Sequence, residues 1–327
     1  MQNKDFLNNR LKELKTELHE LKVSVASKKL SANGLFGKLG SPYSPVHSPD
    51  LMLAVTITGQ LHLACIIHNL NKIKGINVQS ANTDGICIVY PPDLRDEMLN
   101  VFKKHSDTTG FEYEETRYSV TAFANVNNYI AITTKGKAKR KGLYAATSLS
   151  KNPTMEVCSN LAVDYLRDGT HPRDGIAKYT NMKDYVAIRA VRGGGIQFDH
   201  LVEVDDWVLV DDVGTKDNVW MRQKHLDQRL SIDDQGGAPH VKRKSRPHPV
   251  EVGVGGEPFG RVARWFMTTD KIPPISYISS GNKVPKTEGA RVCMTLPTEL
   301  PKDIDFDWYV KESLSMLKLM GVDVNEQ

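Results

Sequence analysis

The sequence predicts an α+β chain, and three observations carry that prediction. A leucine stripe over residues 7–25 marks a long helix. A turn signature at 82–85 between two apolar runs marks an antiparallel hairpin. Stretches rich in Tyr, Thr, Phe and Val at 112–124 and 128–134 mark further strands. With 327 residues the chain is long enough for two domains and a buried core. Hydrophobic residues at 40% and charged residues at 25% are ordinary globular values. No unbroken apolar run of membrane-spanning length occurs, so no membrane partner is expected. The segment Met1 to Asp5 is polar and has no apolar signal region, which argues against secretion. Cys65, Cys87, Cys158 and Cys293 are scattered without a CxxC pair. Neither a disulfide framework nor a zinc site is expected from them, and a reducing, cytoplasmic compartment fits (the host cytoplasm for a viral protein). The net charge of +4 says little about partners, and the local placement of charge says more.

The elements follow in order. Leu7, Leu11, Leu14, Leu18, Leu21 and Val25 recur at alternating spacings of four and three, one apolar stripe on a long helix or helix pair covering 5–37. Gly37 and Gly40, then Pro42 and Pro45, end it, and 41–50 reads as a loop. A largely apolar helix at 51–73 is expected to be buried. Ile76–Gln79 and Ile86–Tyr90 are strand-like around the reversal Asn82-Thr83-Asp84-Gly85. An amphipathic helix over 93–105 and the two strands at 112–134 complete an α+β region of helices on a small antiparallel sheet. A basic segment follows (Lys135, Lys137, Lys139, Arg140, Lys141), then helical patterns at 153–169 and 172–192. The stretch 193–260 combines glycines, an acidic run and a basic run at Lys242, Arg243, Lys244 and Arg246, and reads as an irregular, β-rich insertion. A helix at 307–319 closes the chain.

Three constellations carry chemistry. Lys29 and Asn33 share a helix face four residues apart, with Phe36 three further on and Lys22 seven before. Ammonium groups there are point-charge partners for a triphosphate, the amide can orient a phosphate or sugar oxygen, and the ring can pack on a base pair. The plainer alternative is a solvated lysine face. Asp84 sits at the hairpin tip, where a carboxylate is free to meet a divalent metal. Ordinary turn chemistry is the alternative. In Lys139-Arg140-Lys141-Gly142-Leu143-Tyr144, cations can hold phosphate oxygens, Gly142 admits a close backbone, and Tyr144 can stack on or bond to a strand. A solvated loop is the alternative. Gly253 to Pro258 is not a dinucleotide fingerprint, since Pro258 stands where the third glycine belongs. No P-loop, GxSxG or HExxH motif is present. His62 and His68 read as core or edge residues, and the cysteines as inert thiols.

Taken in order, these motifs resemble those of phage-type family B DNA polymerases. Lys29 to Gly37 is similar to the family's KLxxNSxYG, with Gly34 in place of Ser and Phe36 in place of Tyr. Asp84 follows Asn33 by 51 positions, in a hairpin that reads NTDG where the family has DTDS. Lys141-Gly142-Leu143-Tyr144 stands where the family has its primer-contacting motif. Ser41-Pro42-Tyr43, Thr56 to Gln60, Asn127 to Ile130, Leu149 to Pro153 and Ser280 to Pro285 also look like segments of these enzymes. The resemblance spans nearly the whole chain and is weakest at 195–256.

The resemblance implies the end of the fingers helices at 1–40, part of an antiparallel-sheet palm at 41–150, and a mixed α/β thumb at 151–327 with an insertion at 195–256. It implies template-directed addition of a dNTP to a primer 3′-hydroxyl, with two Mg²⁺ ions as cofactor. Lys29, Asn33 and Lys22 would contact the dNTP, with Lys15 a further phosphate contact. Phe36 would check the nascent base pair, and Asp84 would bind the metals. Lys139, Arg140, Lys141, Gly142 and Tyr144 would hold primer–template DNA, with Asn82 and Thr83 beside them at the hairpin. Asn82 replaces the family's first aspartate there. The family's other metal-binding aspartate lies in a DxxSLYP-like segment that does not occur in these 327 residues. The expected partner is therefore an N-terminal polypeptide carrying that motif, motif A, and an exonuclease. Either a natural split or a truncation would account for this. The leucine stripe would pack on the missing half of the fingers. The rival reading is a non-catalytic module that grips template–primer DNA, with NTDG a structural turn.

Overall fold

Leucine periodicity and the absence of proline before Pro42 let one helix run unbroken from the start of the described chain. The computed structural model describes residues 2–146, 152–212, 217–222, 241–243 and 248–324. Helix α1 spans Gln2–Leu39. The chain turns at Gly40, where a Cβ would lie 2.8 Å from Met52 Sδ, so a side chain there would displace the Met52 thioether. Helix α2 (Pro49–Leu70) begins with Ser48 as N-cap, its hydroxyl accepting the Leu51 N–H at 3.4 Å, and with proline in the first turn. Strands β1 (Asn77–Asn82) and β2 (Gly85–Val89) pair antiparallel, and helix α3 (Arg95–Thr109) follows. These elements belong to one compact unit, residues 1–115; residues 116–327 form a second.

In the first unit, Ile66, Leu70 and Met98 are buried, with Val78, Ile86, Ile88 and Phe102 packed on them. The expectation that α2 is a buried helix is corrected here. The hairpin and α3 cover only its C-terminal turns, and Leu51, Leu53, Val55, Ile57 and Leu61 are exposed. Among the described residues α2 is the one helix long and apolar enough to cross a membrane by length and composition. The strand expected from 112 starts only at Tyr118. The intervening segment is held by side chains instead. Arg95 pairs with the Glu115 carboxylate at 2.6 Å, and Tyr113 bonds to His105 at 2.7 Å.

The second unit opens with a three-stranded antiparallel meander, β3 (Tyr118–Asn125), β4 (Asn128–Thr133) and β5 (Ala138–Lys141). Helix α4 (Glu156–Asp168) lies between two cores. Val157, Cys158 and Leu161 pack with Trp265, Phe266, Tyr309 and Val310, while Ala162 and Val163 pack with Ile130, Ile132, Leu317 and Met320. The helix expected over 172–192 is broken. It becomes helix α5 (Pro172–Gly175), 3₁₀ turns at Ile176–Lys178 and Met182–Asp184, and strand β6 (Ala187–Ala190). Side chains supply the reason. Asn181 Oδ1 accepts the Lys183 N–H at 3.0 Å, and the Tyr185 hydroxyl donates to Tyr179 O at 2.7 Å, bonds that compete with a helix.

The β-rich stretch 195–256 contains β7 (Gly195–Gln197), then β8 (His200–Asp212), which pairs antiparallel with β9 (Asp217–Arg222), β10 (Val241–Arg243) and β11 (His248–Val254). Residues 213–216, 223–240 and 244–247, including Lys244 and Arg246, lie outside the described residues, as do Leu149 to Lys151 of the quoted segments. Strand β12 (Pro258–Phe259) pairs with β7, as does β14 (Ile275–Tyr277). Strand β13 (Val262–Met267) joins β6 to β15 (Ala290–Val292). Helix α6 (Phe306–Leu319) ends the fold, capped by Asp305, whose carboxylate accepts the Trp308 N–H at 2.9 Å.

Candidate functional site

The hairpin places Asp84 by local chemistry alone. Asn82 pairs with Gly85, leaving Thr83 and Asp84 as a two-residue turn. Thr83 has φ of +50°, a conformation uncommon for a β-branched residue and costing on the order of 1–3 kcal/mol. Its hydroxyl donates to Asn82 Oδ1 at 3.0 Å, and the Asp84 N–H donates to Asn82 O at 2.6 Å. These bonds fix the turn. The Asp84 side chain is exposed and makes no hydrogen bond or ion pair among the described residues. A carboxylate so held is open to a hard cation. One carboxylate does not hold two ions, however. Among the described residues no group of three or more His, Cys, Asp and Glu side chains could hold a metal. The residues present therefore do not by themselves form a two-magnesium site.

Lys22, Lys29, Asn33 and Phe36 all lie on α1 and are exposed. At 100° per residue they fall within an arc of about 60°, and the step from Lys29 to Asn33 is about 6 Å along the axis. The leucine stripe runs along the same side, toward the N-terminus. No described hydrogen bond or ion pair joins these side chains to the hairpin, so each stands alone in its own element.

The basic motif divides by strand alternation. Residues of β5 point alternately to the two faces of the sheet. On the core face, the Arg140 guanidinium bonds to Glu156 at 3.0 Å, Asn160 at 2.6 Å and the Ser159 hydroxyl at 3.1 Å. Gly142 has φ of +63°, and a Cβ there would lie 2.0 Å from Asn128 Oδ1, which accepts the Leu143 N–H at 2.8 Å. Tyr144 is fully buried, and its hydroxyl donates to Met316 O at 3.3 Å. This corrects the expectation that Arg140 and Tyr144 face a DNA strand, while Gly142 is itself exposed. Their steric and hydrogen-bonding capacity is used inside the protein.

The opposite face keeps Lys139 and Lys141. Register pairs Lys141 with Tyr129, Tyr129 with Phe123, and Lys139 with Ala131 and through it Thr121. The Phe123 and Tyr129 rings sit 5.0 Å apart. Partial burial works to lower the pKa of the Lys139 ammonium, but the phenol groups of Tyr118 and Tyr129 beside it outweigh that and hold it above its ordinary value. Lysines beside aromatic rings on an open sheet face can pair with phosphates and stack on bases. The sequence reading missed Tyr118, Phe123 and Tyr129. Aromatic residues in two strand-like runs were visible, but Tyr118 and Phe123 stand five apart, and their sharing one face with Lys139 and Lys141 follows only from the bulge between Tyr118 and Val120 and the pairing with β5.

No family model matches the chain, and a search of curated proteins finds no match.

Proposed function

We propose that this chain is the C-terminal part of a DNA-directed DNA polymerase of the phage family B type, adding dNTPs to a primer 3′-hydroxyl on primer–template DNA. The observation that carries the reading is Asp84, an unpaired carboxylate at the exposed tip of a tightly bonded hairpin, in a chain whose motifs fall in the family's order. Asp84 supplies one carboxylate of the catalytic magnesium site, and polypeptide outside these 327 residues supplies the other. Lys22, Lys29 and Asn33 form the side of α1 that meets the dNTP, and Phe36 meets the nascent base pair. Lys139 and Lys141, with Tyr129 and Phe123 in line beside Lys141 on the neighbouring strands, hold the DNA strand, while Arg140, Gly142 and Tyr144 build the sheet that presents them. Helix α1 is then the end of the fingers, and the hairpin belongs to the palm.

Two substitutions test this in the complex with the N-terminal polypeptide. Asp84→Ala abolishes incorporation and leaves duplex affinity nearly unchanged, because the DNA-gripping groups lie elsewhere; equal loss of both contradicts the role. Lys29→Ala raises the apparent KM for dNTP more than it weakens DNA binding; an unchanged KM contradicts the triphosphate contact. Asn82, in the place of the family's first aspartate, favours one competing reading, a non-catalytic template–primer binding module. It predicts that Asp84→Ala changes nothing measurable.

A further inference from the structure

Two tight loops of the second unit meet in a basic concavity that none of the three constellations above uses. One loop is the turn Val191–Gly194, closed by the Gly194 N–H donating to Val191 O at 3.1 Å, with Gly193 at its third position and φ of +81°. That is the conformation a type II turn demands of glycine, and it sets Arg192 on the exposed corner. The other loop, Tyr277–Asn282, is closed by Tyr277 N–H to Asn282 O at 2.9 Å and Gly281 N–H to Tyr277 O at 2.8 Å. The Ile278 N–H donates to Gly194 O at 3.2 Å and ties the loops together. Closeness here depends on glycine. A Cβ on Gly193 would lie 3.2 Å from Ser279 Oγ, and one on Gly194 would lie 3.1 Å from Phe259 O.

The concavity has a volume of about 400 Å³ and is lined by Arg189, Arg192, Tyr277, Ser279, Ser280 and Asn282. No carboxylate lines it, and neither arginine makes an ion pair with a described residue. Arg189 is steadied by a bond from its guanidinium to Pro285 O at 3.4 Å. Two guanidinium groups, two hydroxyls, an amide and a phenol around one bowl supply donors in number and no competing anion. Such a set matches the oxygens of a phosphate.

We propose that this bowl is a phosphate subsite that grips a phosphodiester of a nucleic-acid strand. It shares with the proposed function only its nucleic-acid ligand. The test reads binding without synthesis, so its failure leaves the role of Asp84 standing.

The test is fluorescence anisotropy of a labelled primer–template duplex with the full chain across a series of salt concentrations. R189Q/R192Q weakens binding about tenfold and flattens the plot of log affinity against log salt by about one unit or more, as expected for lost phosphate contacts. Ser280→Glu, on an exposed loop, adds a like charge beside the phosphate and weakens binding in the same direction, with both variants keeping the wild-type thermal midpoint. Wild-type chain that binds duplex while R189Q/R192Q matches it in affinity and salt slope overturns the proposal, as does wild-type chain that binds no duplex. Inorganic phosphate and dATP serve as competitors. Neither displaces duplex efficiently if a strand is the ligand, and displacement at millimolar phosphate that requires the arginines assigns the bowl to a free anion and overturns the strand assignment.

Discussion

At Gly142 an added Cβ would meet Asn128 Oδ1 at 2.0 Å and Asn127 O at 2.4 Å, while the backbone holds φ of +63°. Gly142→Ala is therefore expected to destabilise the second unit by more than about 1 kcal/mol, measured by urea unfolding, irrespective of any ligand. The neighbouring residues separate folding from binding in the same way. Arg140→Ala removes the ion pair with Glu156 on α4 and lowers the unfolding midpoint, whereas Lys139→Ala and Lys141→Ala leave the midpoint within error and weaken duplex binding with a reduced salt slope. Loss of stability in the lysine variants, or of DNA affinity alone in Arg140→Ala, contradicts the assignment of faces. The candidate residues were legible as residue types, because charge and turn chemistry are written locally. Which of them face out was not legible. For Arg140 and Tyr144 that depends on how α4 and the distant α6 pack against the sheet.

Helix α3 is fastened to α2 and to the following segment through one ring cluster. His105 Nε2 lies 3.4 Å from His62 Nδ1, and His105 Nδ1 lies 2.7 Å from the Tyr113 hydroxyl. Burial first, and the charge of His62 second, hold the His105 pKa below its ordinary 6.5. The unfolded chain then binds this proton more readily than the folded one. The contribution to stability is complete above about pH 6.5 and is lost as pH falls from there through the folded pKa. Thermal melts followed by circular dichroism should show a lower midpoint at about pH 5.5 than at about pH 7.5, and the difference should shrink in His105→Gln. An undiminished difference would place the acid sensitivity elsewhere. Among the elements, α1, the hairpin and α6 were readable because each carries a complete periodic or turn signal in its own residues. The run 172–192 was not, because Asn181 and Tyr185 redirect its backbone bonds and Ala187–Ala190 is claimed by pairing with β13. The extent of α2 was readable but its burial was not, since that depends on what covers it.

Across the first unit, Leu7, Leu11, Leu14, Leu18, Leu21 and Val25 of α1 are exposed, as are Leu51, Leu53, Val55, Ile57 and Leu61 of α2. Contiguous apolar surface of this kind usually marks an interface. On the proposed function, the N-terminal polypeptide covers it. The chain alone should enhance the fluorescence of a hydrophobic dye, and Leu14→Glu/Leu18→Glu should reduce that signal without lowering the thermal midpoint while weakening assembly with the polypeptide. A dye signal that the double substitution leaves unchanged would place the apolar contact elsewhere. The most direct measurement is primer extension with Mg²⁺, by this chain alone and mixed with an N-terminal polypeptide that carries the other metal-binding aspartate. The account predicts extension only in the mixture, and none when the chain carries Asp84→Ala. Extension that survives Asp84→Ala would contradict it, as would a mixture that binds primer–template in a salt-dependent way yet never extends the primer.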